Sequence, residues 1–173
     1  MMNPMEQLLH RRSCRAYTDE MPPRELLEQV IQAGTFAPNG RGRQSGMILA
    51  VTNRALRDRL SRMNAEIMGT DTDPFYGAPV VLVVLAERDW PTHVYDGSLV
   101  MGNLMLAADA VGLGSCWIHR AREEFDSPEG KAILAELGIP DIYEGIGHCI
   151  LGYPAAQPPK RAPRKENYVY YAE

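Results

Sequence analysis

The stretch YDGSLVMGNLMLAADAV, residues 95 to 111, restricts the fold of this chain more than any other. Leu99, Val100, Met101, Leu104, Met105, Leu106, Ala107, Ala108 and Ala110 occupy nearly every side of the helix it predicts. A helix with one apolar stripe can lie on a surface. One that is apolar almost all round is buried on every side, either centrally in the domain or against another subunit.

The neighbouring elements follow from local signals. Asn3-Pro4 starts a short helix running to about Arg12. Pro22-Pro23 opens a second helix, with Leu26, Leu27, Val30 and Ile31 at helical spacing. It must stop by Ala37, because Pro38 disfavours the helical conformation before it. NGRGRQSG reads as a polar, glycine-rich loop and MILAVT as a strand. Leu56, Leu60, Met63 and Ile67 mark the next amphipathic helix. APVVLVVLA, β-branched and almost uninterrupted, reads as a buried strand. SCWI is a short strand, Ser127-Pro128 starts a helix to about Leu137, and YEGIGHCILGY is the last long strand. The proline-rich tail closes on NYVYY, a lone aromatic segment that adds to a sheet edge, of this subunit or another. This order predicts one α+β or α/β domain over residues 1-173, without repeat or linker.

A length of 173 residues, 45% of them hydrophobic, is enough for one domain with a real core. The net charge of -4 argues against nucleic acid or anionic lipid as a partner. No apolar stretch is long enough to span a bilayer, and the N-terminus lacks the apolar core of a signal peptide. Cys14, Cys116 and Cys149 are too few and scattered for a disulfide framework. The expectation is a cytoplasmic protein with no membrane and no nucleic-acid partner.

Against this acidic background the cations gather in three runs. Arg11, Arg12 and Arg15 lie in RRSCRAY, Arg41 and Arg43 in the glycine loop, and Lys160, Arg161, Arg164 and Lys165 in the tail. Arginine presents a planar fork that fits phosphate oxygens, and Ser13 adds a hydroxyl. The runs point to one shared anion, with three solvated loops as the alternative. GRGRQSG has the wrong glycine spacing for a dinucleotide fingerprint and follows a helix rather than a strand. No paired metal-ligand spacing occurs. Cys14, among arginines, is the best candidate for a reactive thiol; Cys116 and Cys149 read as small buried residues.

Four stretches, in order, resemble the nitroreductase family of FMN-binding flavoproteins. RRSCRAYTDEMPPRELLEQVIQAGTFAPNGRGRQS is similar to its opening: an R-x-S-x-R/K element, a helix and an A-P-S-x-x-N-x-Q loop. FYGAPVVLVV resembles its central strand entry, GNLMLAADAVGLGSCWI its buried helix and following strand, and GHCILGYP with the basic tail its last strand and C-terminal arm. The resemblance implies an α+β fold, a mainly antiparallel central sheet flanked by helices. It implies a homodimer with FMN at the interface and the C-terminal arm exchanged. By motif position, Arg11, Arg12 and Ser13 match phosphate and ribityl contacts, and Arg15 the cation near flavin N1 and O2. Pro38, Asn39 and Gln44 match the loop lining the flavin, and Asn64 an asparagine on the pyrimidine edge. Trp117, Ile118 and His119 match the strand end over the ring. Arg164 and Lys165, or alternatively Lys160 and Arg161, match the arm that closes on the phosphate.

The implied activity is transfer of hydride from NADH or NADPH to a small acceptor, a nitro compound or quinone, by a ping-pong scheme. No catalytic side chain and no metal are implied, since the chemistry resides on FMN N5. A non-catalytic FMN-binding dimer, acting as regulator or carrier, is the alternative, and a cysteine-dependent hydrolase using Cys14 a third. The chain departs from the family at Asn39, usually serine, at Gly42, usually asparagine, and at Ser45-Gly46, usually Pro-Trp. These changes remove bulk beside the cofactor.

Overall fold

Strand β2 (Val80–Glu87) organises the molecule. The computed structural model describes residues 3–158 and 160–173. β2 lies between β1 (Gly46–Val51) and β4 (Tyr143–Gly152), and β4 also pairs with β3 (Gly114–Ile118). All three pairings are antiparallel, in the order β1-β2-β4-β3. Side chains alternate across a strand, so β2 feeds two cores. Val81, Val83 and Leu85 join Leu60, Met63, Phe75, Phe125, Ile133 and Leu134 on one face. Val80, Leu82, Val84 and Ala86 join Leu27, Val30, Met101, Leu104 and Ala108 on the other. A strand buried on both faces reads as a continuous apolar run, as APVVLVVLA does.

The first face is covered by α3 (Arg54–Met68), α5 (Ala121–Asp126) and α6 (Pro128–Glu136). The second is covered by α2 (Arg24–Thr35) and α4 (His93–Ala110). α4 is the all-round apolar helix. Met101, Leu104 and Ala108 face the core, but Val94, Tyr95 and Leu99 stay exposed, Tyr95 by 71%. Within one chain, then, α4 is not buried on every side.

The helix α1 (Pro4–His10) carries an Asn3–Glu6 capping box and stops two residues short of expectation. There the Arg12 guanidinium turns back onto the Leu9 and His10 carbonyls, at 3.0 and 2.6 Å, and caps the helix. The chain then runs extended along the outer edge of β3. Ser13 bridges Ser115, Cys14 N–H donates to Ser115 O at 2.9 Å, and Thr18 N–H donates to Tyr153 O. α5 was not expected from the sequence. NYVYY forms no strand: a 3-10 turn spans Glu166–Tyr168, and Tyr168 to Tyr171 are exposed.

Candidate functional site

Docking the N-terminal segment on β3 turns its cations toward the tail. Arg11, Arg12, Ser13 and Arg15 line an open cleft of about 440 Å3 with Lys160, Arg161 and Arg164. No carboxylate pairs with any of these cations among the described residues. Partial burial, together with Arg161, Arg11 and Arg164, holds the Arg12 guanidinium below its usual pKa. Arg11 Nη1 is buried and has no hydrogen-bond partner among the described residues. A buried donor without an acceptor is costly; toward the cleft itself, the exposed Arg15, Arg161 and Arg164 offer donors to an anion. Lys165 is not part of the cleft; its Nζ lies 5.4 Å over the Tyr168 ring.

Arg15 also lines a second cleft, of about 250 Å3, at the end of β3. Half-buried Trp117, buried Ile118 and exposed His119 line one side with Arg120, and Met68, Thr72, Pro74 and Tyr76 the other. The Trp117 indole lies on Gly147, where a Cβ would stand 2.5 Å from its Nε1. Asn64 is not in this cleft. It is fully buried behind the strand end, donating to His119 O at 2.8 Å and accepting from Arg120 Nε at 2.9 Å. Cys14 is buried against Gly114, its Sγ donating to Ala16 O at 3.2 Å.

The glycine loop forms a separate site. Asn39 and Gln44 line a cleft of about 240 Å3 with Gly34, Met47, Asp96 and Val100, while Pro38 is exposed at the loop's start. This cleft shares no residue with the other two. Asn39 Oδ1 accepts from Gln44 N–H at 2.8 Å and closes the loop on itself. Asp96, in the first turn of α4, anchors it by accepting from Gly40 N–H, Ser45 Oγ and Thr92 Oγ1 at 2.9, 2.8 and 3.0 Å. Burial pushes the Asp96 carboxyl up, but these hydrogen bonds outweigh it and hold its pKa below the ordinary value.

The sign of the pH effect follows. A carboxyl with a lowered folded-state pKa contributes stability that is fully present above about pH 4 and lost as pH falls through the folded value. Asp96→Asn should therefore lower the melting temperature at pH 7 and narrow the wild-type difference between pH 7 and pH 3. Thermal melts at the two pH values check this; an unchanged difference would remove Asp96 from the anchor.

Sequence reading missed Tyr76, Asp96 and Arg120. Asp96 carried a signal, a lone acid opening an apolar helix. Tyr76 and Arg120 carried none, since only the backbone marks them. Tyr76 and Arg120 have φ of 52° and 77°, and Arg41 and Gln44 of 55° and 54°. These four non-glycine residues at positive φ lie at the strand-end cleft or in the glycine loop. Such strain concentrates at functional sites.

The molecule is an antiparallel α+β domain whose cationic cleft and strand-end cleft share Arg15. More specifically, the chain belongs to the nitroreductase family, whose model matches residues 8–71 and 69–153. It is 28% identical over 169 residues to a putative NADH dehydrogenase/NAD(P)H nitroreductase of Methanothermobacter thermautotrophicus, covering 92% of this chain and 82% of that one. A nitroreductase of Bacteroides fragilis solved with bound FMN superimposes with a TM-score of 0.90 at 28% identity, covering 99% and 100% of the two chains. An FMN-bound nitroreductase of Desulfitobacterium hafniense gives 0.86 at 26% identity, with the same coverage. No helix among the described residues is long and apolar enough to cross a membrane.

Proposed function

We propose that this protein is an FMN-dependent oxidoreductase that takes hydride from NADH or NADPH and passes it to a small acceptor, a nitro compound or a quinone. The observation that carries this reading is the cleft in which Arg11, Arg12, Arg15, Lys160, Arg161 and Arg164 gather with no carboxylate partner among the described residues. The residues present fit the cofactor. Arg11, Arg12 and Ser13 would hold its phosphate, with Lys160, Arg161 and Arg164 closing over it. Arg15, which lines both clefts, would put a permanent cation beside the ring and favour its electron-rich form. Trp117, Ile118 and His119 would line the ring's own cleft. FMN, when bound, supplies the centre that accepts and donates hydride.

The chain's own residues bind, orient and tune. No thiol is needed: Cys14 is buried, and burial pushes the Cys149 thiol far up. Donor and acceptor would take turns at one open site, a ping-pong order. The active form would be a homodimer. In a two-fold pair the glycine loop of one chain can complete the cationic cleft of the other. The exposed Val94, Tyr95 and Leu99 of α4 and the aromatic tail support an apolar contact between chains, including exchange of the arm.

The purified protein should be yellow, with about one FMN per chain. NADH or NADPH should bleach the flavin without oxygen, and turnover with a quinone should give parallel double-reciprocal lines. A protein that takes up no FMN would overturn the reading. Bound flavin that neither nicotinamide reduces would make the protein a carrier or regulator instead.

A further inference from the structure

Behind the strand-end cleft lies a polar cluster that the activity does not use. Asn64 on α3, Glu124 on α5 and His148 on β4 are each fully buried. His148 Nε2 stands 3.1 Å from Glu124 Oε2, and its ring lies near Phe75 and Phe125, with centroids 5.2 and 6.4 Å away. The other Glu124 oxygen accepts from Asn64 Nδ2. The same Nδ2 donates to His119 O, and Asn64 Oδ1 accepts from Arg120 Nε. Arg120 is the residue at φ 77°, and it caps α5 by accepting Glu124 N–H at 3.0 Å.

A buried carboxyl beside a buried imidazole is costly, and apolar side chains could fill the same space. What the pair provides is direction. A carboxylate only accepts and a guanidinium only donates, so the Asn64 amide between them has a single allowed orientation. That orientation aims one amide hydrogen at the His119 carbonyl and the amide oxygen at Arg120. Both residues line the strand-end cleft.

We propose that Asn64, oriented by Glu124 and Arg120, is a positioning residue that locks the His119–Arg120 turn and thereby sets how tightly, and at what potential, the flavin is held. The proposal rests on the FMN reading above. Asn64→Leu keeps the volume but neither donates nor accepts. The FMN dissociation constant should rise about tenfold. The flavin midpoint potential should shift, and in the flavin-free protein the amides of residues 118–121 should exchange faster. Glu124→Gln can donate as well as accept, so it no longer fixes the Asn64 amide and should move all three measurements part of the way toward those of Asn64→Leu. A folded Asn64→Leu protein with wild-type affinity, potential and exchange overturns the proposal. If that variant does not fold, flavin-free wild-type protein decides. Amides of 119–121 that exchange as slowly as those within β3 support the lock, and fast exchange there overturns it. This arm needs no flavin, so a chain that takes up no FMN would defeat the functional reading separately.

Discussion

Gly145→Ala should cost more than about 4 kcal/mol, a large fraction of the roughly 5–15 kcal/mol that holds a domain folded. A Cβ at Gly145 would stand 2.1 Å from the Ala121 carbonyl oxygen and 2.3 Å from its carbon. Both are backbone atoms, so no rotamer change relieves the clash. At Gly145 β4 is held by its pairing with Leu85 of β2, and farther along the strand Glu124 of α5 stands 3.1 Å from His148. Gly42 makes the control. It has φ 66° and nothing within 4 Å of a built Cβ, so alanine there should cost only about 1 kcal/mol. Urea titration of the two variants separates the cases. A Gly145→Ala midpoint close to wild type would mean that α5 does not press on β4 as described.

Arg11→Met should weaken FMN binding about a hundredfold at low salt. The variant keeps an apolar stem of similar length and removes a charged donor. A charge-assisted hydrogen bond contributes about 1.5–3 kcal/mol, which is about a ten- to hundredfold change in affinity. The upper end applies because Arg11 is half-buried at the cleft, where water competes less than at an exposed cation. Arg164→Met should cost less, since Arg164 is exposed and screened by salt. Flavin fluorescence titrations at two ionic strengths test both, and the wild-type affinity should fall as salt rises. An unchanged affinity for Arg11→Met would place the phosphate elsewhere.

The parts of the fold readable in advance were those whose signal lies within one element. β2 announced itself by an unbroken apolar run and α4 by apolar residues on every side. The gathering of RRSCR with the tail was readable as a possibility, because like charges in an acidic chain need a shared counterion. What was not readable depends on contacts between distant segments. α5 has six residues, and its buried face, Ala121, Glu124 and Phe125, includes an acid that no apolar pattern marks; the close approach of Gly145 to Ala121 seats it. Asn64 looked like a ligand residue by position, yet its amide is spent on His119, Arg120 and Glu124. The exposed NYVYY has high β propensity, but no strand of the same chain lies beside it.

The four non-glycine residues at positive φ also bear on how this protein could be made hardier. Each holds a conformation that costs a side-chain-bearing residue about 1 kcal/mol or more. Arg41 is exposed and forms no ion pair among the described residues. Glycine there would release strain at a position that touches no cleft wall. At Tyr76 and Arg120 the same exchange would strip a side chain from the strand-end cleft. Arg41 is thus the one of the four whose exchange touches no cleft wall, whereas at Gln44 and at the strand end added robustness would come out of the clefts themselves.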